Sequence, residues 1–150
     1  MISHALRWVS LASLLCVVGC GFVRDEVLDG PYRLVAVDAP DDMSLCRSSG
    51  KEGVCVGDGL PGPTVFQAGA NSQYIVLARH PLPHDTWRPW QEYKPPDRSV
   101  TEFYYIVREA NEWDAVKPVS LFGPFNELEY QQEKKRLQLP EFSRVFDDLK

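Results

Sequence analysis

Two segments of this chain, 73–79 and 100–108, carry apolar side chains on both of their alternating faces. In the first, Tyr74 and Val76 alternate with Ile75 and Leu77; in the second, Phe103, Tyr105 and Val107 alternate with Tyr104 and Ile106. A strand with one wet face would alternate apolar with polar residues. These two therefore belong inside a sheet that is covered on both sides. Further strand signals lie at 31–38, ended by Ala39-Pro40-Asp41-Asp42, at 64–67 and at 118–122. Residues 43–63 read as a loop that holds two cysteines and the glycine-rich run 57–63.

The C-terminal third changes period. Asn126 precedes Glu129 by the three residues of a capping box, and Phe125 with Tyr130 occupies the flanking positions of a hydrophobic staple. Lys134, Lys135 and Arg136 suit the negative end of the helix dipole, and Pro140 bars continuation. Beyond it, Phe142, Val145, Phe146 and Leu149 recur at helical spacing, which predicts a short terminal helix docked on the core. Strands first and helices last predict an α+β fold, a mainly antiparallel sheet followed by two C-terminal helices.

The N-terminal residues follow a different logic. Arg7 supplies a positive start, and the apolar run 8–18, at eleven residues, is too short to span a hydrocarbon core of about 30 Å as a helix. It reads as an export signal. A small residue, Gly19, then stands before Cys20. Val17-Val18-Gly19-Cys20 resembles the lipobox of bacterial lipoproteins, in which the cysteine is acylated and becomes the new N-terminus. Cys16 is the rival position, but Leu15 precedes it where a small residue is wanted. The resemblance implies a membrane anchor through the Cys20 lipid. Gly21 stands where an Asp would mean inner-membrane retention, so it also implies sorting to the outer membrane, facing the periplasm. The expected organisation is a signal peptide at 1–19, a lipid-anchored tether at 20–29 and a single domain at 30–150.

Removing 19 of the 150 residues leaves 131, enough for one hydrophobic core. The formal charge of −5 becomes −6 once Arg7 is lost, which gives no electrostatic footprint for nucleic acid. With Cys16 removed and Cys20 acylated, Cys46 and Cys55 are the remaining thiols in an oxidising compartment. A structural disulfide is the simple reading, helped by Gly50 and Gly53 between them. Two free thiols, or a redox or metal pair, are the alternatives, although the spacing is wider than such pairs use.

The chemistry-bearing residues are sparse. The run 57–62 has the glycines of a phosphate loop but no following Lys-Ser or Lys-Thr, and its proline removes an amide donor. Asp41, Asp42 and Asp58 match no calcium loop. His80 and His84, with Asp85, lack a third metal ligand and the helix that would fix their spacing. No nucleophile motif is present, so neither catalytic residues nor a cofactor are expected. The long proline-rich stretch 80–96 is the exception in character. Trp87, Arg88, Trp90 and Tyr93 are of the residue types that dominate binding hot spots, which makes them candidate partner-binding residues. The plainer reading folds Trp87 and Trp90 back as a lid on the sheet.

The runs Asp29-Gly30-Pro31-Tyr32 with Leu34-Val35-Ala36, Tyr74 to Pro81, and Gly123-Pro124-Phe125 with Leu128 and Tyr130 resemble a family of small bacterial lipoproteins to which no activity is assigned. The resemblance transfers no catalytic residues. The leading expectation is a non-enzymatic envelope lipoprotein whose acidic domain binds or supports another envelope component, with an envelope protein as partner. The alternative is an immunity-type inhibitor that occludes a toxin.

Overall fold

A computed structural model describes residues 22–50, 54–83 and 94–150. The chain opens with an antiparallel meander, β1 (Arg24–Asp29), β2 (Tyr32–Ala36), β3 (Ser44–Ser48) and β4 (Cys55–Val56), neighbours in that order. In β2, Tyr32, Leu34 and Ala36 point into the core while Arg33 turns to the other face and pairs with Asp25 at 2.7 Å. Gly30, at φ +54, makes the turn from β1 to β2. Cys46 and Cys55 form a disulfide, Cα–Cα 5.5 Å, that ties β3 to the short edge strand β4. Two expectations change here. Residues 24–29, expected in a tether, form a paired strand, and the expected loop at 43–63 contains two strands.

The second sheet contains β5 (Val65–Ala70), β6 (Tyr74–Arg79), β7 (Glu102–Val107), β8 (Ser120–Phe125) and β9 (Arg144–Val145), in the order β8-β7-β6-β5-β9. The two doubly apolar segments are β6 and β7, and neither is an edge. Ile75, Leu77, Tyr104 and Ile106 face the first sheet and join Tyr32, Leu34, Met43 and Leu45 in one buried cluster. Val76 and Tyr105 face the opposite way and meet Tyr130 and Leu139. The second sheet is thus covered by a sheet on one side and a helix on the other, which is the reason both faces of β6 and β7 are apolar.

That helix, α1, spans Glu127–Leu137. Asn126 caps it: its side chain accepts from the Glu129 amide at 3.0 Å, and the Glu129 carboxylate accepts from the Asn126 amide at 2.9 Å. Tyr130 anchors the helix, stacked on Phe103 with centroids 4.7 Å apart.

The second expected helix is absent among the described residues; the C-terminus is instead β9 followed by a 3-10 turn at Asp147–Leu149. The cause lies in β5. Gly69 lacks the side chain that would hold the C-terminal segment away, since a Cβ there would lie 2.1 Å from the Glu141 carbonyl oxygen. The Ser143 and Phe146 amides then donate to the Ala68 and Phe66 carbonyls, which holds the segment extended against β5. Phe146 and Leu149 still reach the core, but Val145 is 42% exposed. The fold is α+β, mainly antiparallel, with one α-helix among the described residues.

Candidate functional site

Where β1 ends, where β5 turns into β6 and where the chain leaves β7, an open cleft of about 730 Å³ forms. Its lining includes Leu28, Asp29, Asn71, Ser72, Arg108, Glu109, Glu112 and Ser143. Local structure fixes each group. Gly30 permits the tight turn that carries Asp29. Asn71 closes the β5–β6 turn by accepting from the Gln73 and Tyr74 amides at 2.9 and 2.8 Å. The Arg108 amide donates to the Gln73 carbonyl at 2.9 Å, which extends the ladder one residue past β7.

Arg108 is the organising group. Its guanidinium donates to both Glu112 carboxylate oxygens, at 2.9 and 2.7 Å, to the Asn71 carbonyl at 2.8 Å and to the Asp29 carboxylate. The bond to Glu112, followed by the one to Asp29, raises its pKa further above the ordinary arginine value. Charge-assisted, forked bonding of this kind fixes position as well as charge. Arg108 therefore acts as a strut between three turns, with four of its five N–H donors committed. The Glu109 carboxylate accepts from the Ser120 hydroxyl at 2.7 Å.

A small inner cavity, lined by Tyr32, Arg47, Asn111, Glu112 and Val119 among others, lies behind this wall. Arg47 is 5% exposed and donates to the Lys117 carbonyl, while its Nε has no hydrogen-bond partner among the described residues. Burial raises the Tyr32 pKa, and the neighbouring Arg47 charge opposes that rise. With Asp29, Glu109 and Glu112 at the mouth and Arg108 neutralised by two of them, the cleft suits a ligand group that donates hydrogen bonds or carries positive charge.

A second polar cluster sits at the other end of β6 and β7. Arg79 donates to Glu102 at 2.8 Å and lies over the Tyr104 ring, 5.5 Å from its centroid; the Tyr104 hydroxyl donates to the same carboxylate at 2.7 Å. Burial, then that bond, pushes the Tyr104 pKa up to about 12. His80 stacks on Phe66 at 4.2 Å and its Nδ1 lies 2.8 Å from the Val100 carbonyl, so its ring serves packing in this structure. Among the described residues no group of three or more His, Cys, Asp or Glu side chains is arranged to hold a metal.

Of the residues singled out in the sequence, Cys46 and Cys55 are joined. Cys20, His84, Trp87, Arg88, Trp90 and Tyr93 lie outside the described residues. The cleft was missed because Asp29 and Arg108 are 79 residues apart and neither sits in a motif. Arg108 ends the apolar run 100–108, whereas nothing in the sequence marks Asp29 as the end of a strand. In comparisons with protein-family models, with curated proteins and with solved structures, nothing matches this chain.

Proposed function

We propose that this chain is a lipid-anchored envelope protein, not an enzyme, whose folded domain binds another envelope component. The observation that carries this reading is the N-terminal order of Arg7, the apolar run and Gly19-Cys20. The Cys46–Cys55 disulfide supports it, because such bonds persist in oxidising compartments. The cleft around Arg108 is one proposed contact surface, and the sequence candidates Trp87, Arg88, Trp90 and Tyr93, outside the described residues, are another. The cleft's carboxylates favour a partner that offers lysine, arginine or other donor groups. The domain's net negative charge also keeps a second reading open, occlusion of a basic toxin surface by an immunity-type protein. No helix among the described residues is long and apolar enough to cross a membrane.

The test is the intact mass of the protein extracted from membranes. The expected chain begins at Cys20 and carries added acyl mass, and Cys20→Ser blocks processing. A normally processed, soluble Cys20→Ser protein refutes the anchor. For the cleft, Asp29→Lys together with Glu109→Lys is expected to abolish capture of a partner that the unaltered domain retains.

A further inference from the structure

The first sheet begins almost at the anchoring residue. The Val23 amide already donates to the Ala36 carbonyl at 2.7 Å, and β1 starts at Arg24. Only Gly21 and Phe22 separate Cys20 from Val23, and three Cα–Cα steps span at most about 11 Å. The polar headgroup layer on each side of a bilayer is itself about 5–8 Å thick. A chain acylated at Cys20 thus has no room for the tether that the sequence alone implied. The start of β1 is confined to within a short distance of the membrane surface.

The surface at this end is suited to that position. Phe22, Val23 and Val37 are large apolar side chains, 48%, 48% and 52% exposed. The register that pairs Arg24 with Ala36 places Val23 opposite Val37 one step further on, so the two form a single patch. Asp38, next to Val37, is exposed and has no ion pair among the described residues, but Arg24 pairs with Asp148 at 2.6 Å and Arg98 with Asp41 at 3.2 Å. Pairing lowers the cost of bringing those groups toward the bilayer, and the attraction does not depend on anionic lipid.

We infer that the Phe22, Val23 and Val37 end of the first sheet rests on the headgroup surface of the membrane that holds the chain, with the Arg108 cleft turned away from it. β1 supplies the geometry for the second half: Arg24 is at the membrane end and Asp29, at the cleft, is about 17 Å further along the strand. The lipid and the apolar patch together fix an orientation, and that orientation presents the cleft to partners in the aqueous space. The inference rests on acylation of Cys20, so its test separates the two.

The acylated, disulfide-bonded protein is reconstituted into phosphatidylcholine vesicles with a single fluorophore on Val37→Cys or, in a second preparation, on Ser72→Cys in the cleft lining. Both sites are on the surface, so folding is expected to survive, and Asp38→Cys serves as a second membrane-end position. The Val37 label is expected to be quenched by brominated lipid and to be several-fold less accessible to aqueous iodide than the Ser72 label. Equal iodide access at both ends, in protein whose mass shows acylated Cys20, overturns the orientation and leaves the anchor standing. A mass without acyl groups overturns the anchor and the orientation with it.

Discussion

Arg108 illustrates how much one side chain can organise. It is 12% exposed and bonds Glu112, Asp29 and a backbone carbonyl at once, so the turns after β1, β5 and β7 share one cation. Arg108→Met keeps most of the packing but leaves the Glu112 carboxylate, 14% exposed, without its counter-charge. The expected loss of stability is about 2–3 kcal/mol, seen in urea titration, because an uncompensated, mostly buried charge costs more than the pair contributes. A loss below about 0.5 kcal/mol, the range of ordinary surface substitutions, would mean that the strut is dispensable. Tyr130 presents the opposite case. Its ring packs against both Phe103 and Phe142, with centroids 4.7 and 5.9 Å away, yet its hydroxyl is buried without a hydrogen-bond partner among the described residues. Burial accordingly raises its pKa. Tyr130→Phe removes only the unsatisfied oxygen, and the expected result is equal stability or a gain of about 1 kcal/mol. A clear destabilisation would show that the hydroxyl has a partner. The sequence marks Arg108 only as the end of a strand and Tyr130 only as the staple residue of a helix start, since the partners of each come from distant parts of the chain that the fold brings together.

At the level of elements, legibility followed how each one is stabilised. β6 and β7 were readable because burial on both faces leaves an unbroken apolar run, and α1 was readable because its capping box lies within four consecutive residues, Asn126 to Glu129. β1 was not. Of its six residues only Leu28 joins the core, while Arg24 and Asp25 are held by ion pairs to Asp148 and Arg33 that hydrophobic periodicity cannot register. The C-terminal stripe had the right period for a helix, but β5 captured its backbone donors. The responsible feature, Gly69, sits more than seventy residues upstream of that stripe. Gly69→Ala tests this cause directly. The added methyl would meet backbone atoms of Glu141, which cannot rotate aside, so the segment must move off β5. A cost of about 3 kcal/mol is expected, with hydrogen-exchange protection lost at Ser143 and Phe146 before the rest of the domain. Retained protection at those amides would show that β9 has another determinant.

The two sheets do not have separate cores. One cluster draws Tyr32, Leu34 and Leu45 from the first sheet and Ile75, Leu77 and Ile106 from the second, each at most 1% exposed. Removing either sheet would expose the other's apolar face, so the domain is expected to unfold in a single cooperative transition. The disulfide must then act on the whole molecule even though it lies at one edge. Cys46 and Cys55 are nine positions apart, and among the described residues β4 meets β3 at two register pairs, Arg47–Val56 and Ser48–Cys55, so the bond reinforces a short edge. Substituting both cysteines with serine frees the intervening chain in the unfolded state, which costs about 3 kcal/mol in the loop-entropy account. With one shared core, the whole urea transition should move to lower concentration and keep its steepness. Far-UV circular dichroism and hydrogen exchange in β6 and β7 should report the same midpoint. If the double variant instead loses the first sheet in an earlier, separate step while β6 and β7 stay protected, the shared core does not couple the sheets, and each must be stabilised by its own contacts.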